Sequence, residues 1–451
     1  MLNRYSRLVL RAPVGVFAVS SLLFTQSVLA SMGNIATTYG LLPQDMATAQ
    51  SFSLFSDQVS ASYYNPASLA LSERGELSFG FLQASPSLEV TSNGGANPPA
   101  RSGTVLESNQ TETVLFGMKT NLTSLTKFKT PVYLALMAGV EKYGLEMLAF
   151  ESNSSQEGQF MQYGQKPLFL SVSAAANVIP GFHLGAGVRV TLHAKANMVL
   201  ESDLAGNTNS EELSVDAEPV FIPLLGAYFD MDTLLCNEGE PCLLEGLDLA
   251  ISYRGESDTQ TKVNANATIP GTIPDPGLPL VVNTLDAYQP MIVSLGARYQ
   301  LTENWQLAAT LEYQSWAELE NKLKDDTIKD QGNLSFQDAF VPRFGARYQF
   351  TENTQFLTGI SYEESVLEDG LTPDVNVFDN DRIIVGAGVS HVYRDTHFLA
   401  FPLRIDGAYQ YHHLVERDFV LSSDEAAVSP YESVTTSGNA HVLSVSFSMM
   451  F

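Results

Sequence analysis

Residues 443–451 read Leu443-Ser-Val-Ser-Phe-Ser-Met-Met-Phe451. Leu443, Val445, Phe447, Met449 and Phe451 fall on one side, and Ser444, Ser446 and Ser448 on the other. A period of two belongs to a strand with one apolar and one polar face. The segment has no proline and no charge. Exposed in water, its apolar edge would recruit other chains. In a closed barrel across a membrane both edges are paired, the apolar face meets lipid and the serines face the lumen. The expectation is an outer-membrane strand, and one that the barrel-assembly machinery engages.

The other end of the chain agrees. Arg4, Arg7 and Arg11 precede an apolar stretch from Val14 to Phe24, and Val28-Leu-Ala30 offers small residues at a cleavage position. This pattern predicts a secretory signal peptide over residues 1–30. The apolar run is too short for a membrane anchor, which takes roughly 20 residues. Removing it takes three arginines and no acid, so the net charge moves from −26 to −29. Such a charge argues against nucleic acid as a partner. Acidic loops facing outward would meet outer-membrane lipid and lipopolysaccharide through divalent cations.

From about residue 75, alternating segments recur between turn residues. Fourteen strands are expected, near 76–90, 112–122, 132–150, 167–178, 182–202, 218–230, 247–267, 288–301, 305–320, 340–350, 354–366, 382–393, 403–420 and 440–451. The even count suits a bacterial barrel. Tight connections such as Pro180-Gly181 alternate with long ones over 91–111, 203–217, 268–287, 321–339 and 421–439. Short turns belong on the periplasmic side and long loops outside. One stretch repeats: Gly296-Ala-Arg-Tyr-Gln-Leu-Thr-Glu-Asn304 returns as Gly345-Ala-Arg-Tyr-Gln-Phe-Thr-Glu-Asn353, each copy leading a strand into the same turn. Cys236 and Cys242 flank a five-residue turn on the periplasmic side. A metal site would need further ligands, and the histidines lie far away along the chain. After secretion a disulfide is the better reading, a local staple contributing about 2 kcal/mol.

Charge sorts the two faces. A charge at the bilayer midplane costs about 2–4 kcal/mol, so Arg189, Thr191, His193, Lys195 and Asn197 must point inward, opposite Val188, Val190 and Leu192. The same rule turns Arg298, Arg343, Arg347, Arg404, Asp406, Gln410 and His412 into the lumen. Most such charges pair with each other. Arg189, His193 and Lys195, stacked on one strand below a long loop, are the candidates for a ligand's polar head.

Residues 31–74 precede the first strand and are too apolar to stay disordered in water. Met32, Leu41, Leu42, Met46, Phe52, Phe55, Tyr63 and Tyr64 are among them, and Gln44–Gln50 has helical character. A barrel of fourteen strands is wide enough to hold this block as a plug. Within it, Ser62-Tyr-Tyr-Asn-Pro-Ala-Ser-Leu-Ala70 resembles the Asn-Pro-Ala hatch motif of the FadL/TodX outer-membrane transporters, at Asn65, Pro66 and Ala67. Tyr313-Gln-Ser-Trp316, Phe378-Asp-Asn-Asp-Arg-Ile-Ile-Val-Gly-Ala-Gly388 and the closing Ser437–Phe451 stretch resemble the same family, in the same order.

The resemblance implies an all-β, monomeric transmembrane antiparallel barrel over residues 75–451, with residues 31–74 as a hatch in its lumen. It implies passive uptake of hydrophobic small molecules, usually long-chain fatty acids or hydrocarbons. Ligand meets an outer groove, enters a pocket near the hatch that the mature N-terminus (here Met32) helps form, and leaves sideways at a kinked strand. Leu278–Val282 and Val375–Phe378 are apolar loop stretches suited to the groove. Two other classes fit the sequence less well. A hydrophilic-solute porin accounts for the barrel and not for the apolar block. A barrel enzyme needs a nucleophile beside a histidine, and no Gly-x-Ser-x-Gly motif occurs. No catalytic residue, cofactor or metal is therefore expected.

Overall fold

A computed structural model describes residues 35–94, 103–104, 110–125, 127, 130–142, 168–202, 208–236, 241–269, 273–324, 335–368, 371–373, 379–397, 399–422 and 432–451. Alternating side chains build fourteen strands that close on themselves. In chain order these are β1 Glu76–Gly94, β2 Thr111–Asn121, β3 Val132–Lys142, β4 Leu168–Ile179, β5 Phe182–Ser202, β6 Thr208–Asp230 and β7 Leu247–Arg254. They continue as β8 Met291–Gln300, β9 Trp305–Ser315, β10 Ala339–Thr351, β11 Thr354–Glu363, β12 Arg382–Tyr393, β13 Leu403–Ser422 and β14 Glu432–Met450. Each pairs antiparallel with the next. β14 pairs back onto β1 from Glu76↔Met450 to Gly94↔Ser433, which closes the barrel. The described wall then has no free edge, as hydrocarbon requires.

The two faces sort by charge as expected. Leu295, Phe344, Tyr409, Leu443 and Phe447 are exposed on the outside, while Arg189, Arg343, Arg404, Asp406, Gln410 and His412 are buried inside. Phe451 closes against Gly75 through paired backbone bonds of 2.7 and 3.0 Å.

The expected loops are partly strand, 91–111 among them, since β1 runs on to Gly94. β6 starts at Thr208 and β14 at Glu432, so most of 208–217 and 432–439 is laddered. Of the stretch 268–287, residues 273–287 belong to the return arm of a hairpin, Ser257–Ile269 against Ile273–Gln289, which continues beyond β7. Its first arm also runs parallel to β5, from Lys195↔Lys262 to Glu201↔Thr268. Beyond the bilayer a strand no longer needs an apolar face. The hydrophobic alternation fades there while the hydrogen-bond ladder goes on. The expected strand 132–150 is described only to Lys142, and the Val375–Phe378 stretch lies outside the described residues.

Residues 35–71 fill the lumen in short pieces. The α-helices are Ile35–Thr38, Pro43–Ala47 and Ala61–Tyr64, and the 3₁₀ turns are Ser53–Phe55 and Pro66–Leu71. The expected helix thus starts at Pro43 and stops at Ala47. Ala49 and Gln50 then take positive φ, 45° and 64°, which ends it. Tyr39, Leu42, Met46, Phe52, Phe55 and Tyr63 are completely or almost completely buried. The apolar content of this block is satisfied by the inside of the barrel.

Candidate functional site

The plug sits where the wall lacks side chains. Asn65 caps the turn Pro66–Leu71, its Oδ1 accepting from the Ala67 N–H at 3.2 Å. Its Nδ2 donates to the carbonyls of Leu54 at 3.0 Å and of Ala227 in β6 at 3.3 Å. One side chain therefore joins two plug segments to the wall. A Cβ on Gly226 would lie 1.9 Å from Asn65 Oδ1, and one on Gly185 of β5 would lie 2.2 Å from the Ala67 nitrogen. Only glycine admits the motif this close. On the lipid side of the same strands is an apolar depression of about 770 Å³, lined by Ala174, Ala186, Leu225, Ala227, Ile251 and Tyr253. Between Asn65-Pro66-Ala67 and the membrane the wall is a single backbone layer.

The repeated nonapeptide seats the plug on β8 and β10, farther round the wall. A Cβ on Gly296 would meet Leu54 and Phe55, and one on Gly345 would meet Ser51 and Thr48. Two residues on, and so on the same face, Arg298 lies 5.3 Å from the Phe55 ring centre and Arg347 lies 4.3 Å from that of Phe52. Two further on, Gln300 and Gln349 donate into their turns, to the carbonyls of Thr302 at 2.5 Å and Thr351 at 2.6 Å. The repeat is thus one docking unit used twice: a gap for the plug, a cation beneath its aromatic ring, and a turn lock. Below it opens a polar vestibule of about 610 Å³, lined by residues that include Arg298, Arg347, Asp57, His183 and Gln349.

Above the plug runs a ladder of alternating charge across β7 to β12. Arg254 pairs with Glu312, which lies 3.5 Å from Arg343. Arg343 reaches Glu363 at 3.1 Å, Glu363 reaches Arg382 at 4.0 Å, and Arg382 reaches Asp379 at 3.6 Å. Its three cations and three anions cancel. The collar rests on the plug, since Arg254 lies 5.1 and 5.5 Å from the ring centres of Tyr63 and Tyr64, and Arg343 donates to the Ala49 carbonyl at 3.4 Å. Beside it a buried apolar cluster joins Tyr39 and Met46 of the plug to Trp316, Leu319, Phe336 and Phe419.

The expected head-group residues have separate positions. Arg189 is buried, bonded to Glu141 at 2.9 Å and stacked 4.2 Å from the Phe169 ring centre and 5.3 Å from that of Tyr63. His193 and Lys195 follow on β5, paired in register with Glu218 and Asp216; their side chains, like all of Met32, lie outside the described residues. Cys236 and Cys242 are bonded, Cα atoms 5.7 Å apart, in the connection from β6 to β7. The other family-like motifs brace the rim. Asn380 donates to Val415 and Thr436 carbonyls at 2.8 and 3.1 Å, and Trp316 Nε1 donates to Gln314 at 2.7 Å. Sequence reasoning missed the collar. Alternation puts its arginines inside, and only the register of neighbouring strands shows which carboxylates meet them.

A protein from Marinobacter nauticus described as alkane uptake protein A is 43% identical over 444 residues, 97% of this chain and 96% of that protein. The family described as outer membrane protein transport protein (OMPP1/FadL/TodX) matches residues 245–451. The chain belongs to the FadL/TodX family. Solved members share its fold at low identity. A Pseudomonas aeruginosa FadL homologue has a TM-score of 0.58 at 15% identity, covering 90% of this chain and 98% of its own. The Pseudomonas putida toluene transporter TodX has a TM-score of 0.53 at 13% identity, covering 92% and 99%. As a FadL/TodX barrel, the protein resides in the outer membrane and transports hydrophobic compounds.

Proposed function

We propose that this protein admits hydrophobic molecules passively, of the class of long-chain fatty acids, alkanes and aromatic hydrocarbons, through rearrangement of its plug and sideways release into the membrane. Residues 1–30 act as the secretory leader and residues 31–74 as the hatch. The observation that carries the reading is the seat of Asn65-Pro66-Ala67. A buried apolar plug meets the wall there at two glycines, with an apolar depression directly behind. An oily solute released at this place passes from lumen to lipid without crossing water, and so avoids the cost of about 25 cal/mol for each Å² of apolar surface exposed to water. The relative named for alkane uptake supports the hydrocarbon class. The barrel works as a monomer, its long acidic loops lie among lipopolysaccharide, and β14 is the strand handed to the barrel-assembly machinery.

The test is uptake of labelled oleate, hexadecane and toluene by a strain lacking its own such transporter, with and without this chain. Faster uptake of at least one compound is expected. Rates equal to those of the empty strain for all three would sink the proposal.

A further inference from the structure

We infer that the charge collar above the plug makes the path selective for uncharged hydrocarbons and against carboxylates. This rests on the transport reading and narrows its substrate class.

A carboxylate passing through an apolar lumen needs a cation, because an ionised group buried without a partner is strongly disfavoured. Each described guanidinium group that rests on the plug's outer face already has a carboxylate within 4.0 Å, although Nε and Nη1 of Arg254 and Nε of Arg343 meet no acceptor. Arg254, Arg343 and Arg382 share Glu312, Glu363 and Asp379, and Arg189 holds Glu141. Arg417, at the rim, donates to the backbone carbonyls of Asp379 at 2.8 Å and Leu367 at 2.9 Å. An incoming carboxylate would add a fourth anion to a ladder whose three cations already face three anions. An alkane makes no such demand and meets the apolar cluster around Trp316 and Phe419 directly. A charge-assisted hydrogen bond is worth about tenfold or more in affinity, so occupation of these arginines is enough to set the preference.

The inference predicts a gain of function. Glu363 bonds two arginines and is the more exposed of the ladder's two glutamates. Glu363→Gln keeps its shape and leaves the ladder one positive charge in excess. Labelled hexadecane and palmitate are compared, first as uptake at neutral pH by the transporter-deficient strain, then as equilibrium binding to purified full-length protein. The wild type should carry hexadecane and leave palmitate at the rate of the empty strain. E363Q should raise the palmitate-to-hexadecane ratio about tenfold. E312Q, which frees Arg254 and Arg343, is the second variant, and each is checked for the heat-resistant barrel on a gel. Wild-type protein carrying both compounds equally overturns the inference and leaves the transport reading standing. So does an unchanged ratio in a folded variant. Failure to carry either compound overturns the inference, and overturns the transport reading itself if toluene and oleate also enter no faster than in the empty strain.

Discussion

Asn65 and Gly226 are two halves of one contact. Asn65→Ala removes the donor to the Leu54 and Ala227 carbonyls and the acceptor for the Ala67 N–H. The Leu54 carbonyl keeps the Ser68 hydroxyl at 2.6 Å, so the cost is that of the lost bonds, about 0.5–1.5 kcal/mol each. The plug should loosen, with faster amide exchange over residues 54–68 and altered uptake, while the barrel keeps its melting temperature. Gly226→Ala should do the same from the other side, because the new Cβ lies 1.9 Å from Asn65 Oδ1. Combined, N65A takes away the atom that the methyl group of G226A strikes. The double variant should therefore exchange more slowly than the sum of the single effects predicts, and strict additivity would show that the two residues do not meet. Asn65-Pro66-Ala67 could be recognised in the sequence as a motif. Its partner glycines could not, since glycine is common in strands and only the closed wall shows which ones face the plug.

At the scale of elements, the repeated strand-and-turn unit is a two-point clasp. Arg298→Gln and Arg347→Gln each remove a cation–π contact worth about 0.5–2 kcal/mol. Exchange at residues 50–56 should rise in each variant and most in the pair. Arg347→Lys should restore part of the protection, whereas loss of a purely geometric prop would not be rescued by charge. Arg298 also bonds Asp248 at 2.7 Å, so its replacement should lower barrel stability as well, a difference that thermal melting in detergent resolves. The repetition was readable in the sequence, and so was its turn. Its purpose was not, because the rings it grips lie more than two hundred residues earlier. The disulfide stands apart from all this. Cys236→Ser should cost about 2 kcal/mol of resistance to unfolding and leave uptake untouched.

For the molecule as a whole, the plug carries its own pH dependence. Asp45 bonds the Leu42 N–H at 3.2 Å and Ser53 at 2.7 Å inside the lumen. Burial raises its pKa from 3.8 to about 6, against the hydrogen bonds and the nearby Arg347 charge, which pull it down. A carboxyl whose packed pKa exceeds its free value favours the packed plug when protonated. That stabilisation is complete below about pH 4 and is lost as pH rises through 6, a difference of about 3 kcal/mol. Protease protection of the plug should accordingly fall between pH 4 and pH 6.5. In Asp45→Asn the protection should stay high and flat across that range; a variant that keeps the wild-type profile would assign the titration to another group.

The sequence by itself determined the barrel, its strand count, its inside and its outside. Those follow from period-two alternation and from the cost of a charge in lipid, both local properties of a strand. It also marked the apolar block that had to be buried somewhere. Only the tertiary structure decided where that block sits, which glycines admit it, and how Arg254, Glu312, Arg343, Glu363, Arg382 and Asp379 link into one ladder. These are relations between residues far apart in the chain. They depend on strand register and barrel closure, and a shift of one residue in β7, β10 or β12 would turn an inward arginine out to lipid.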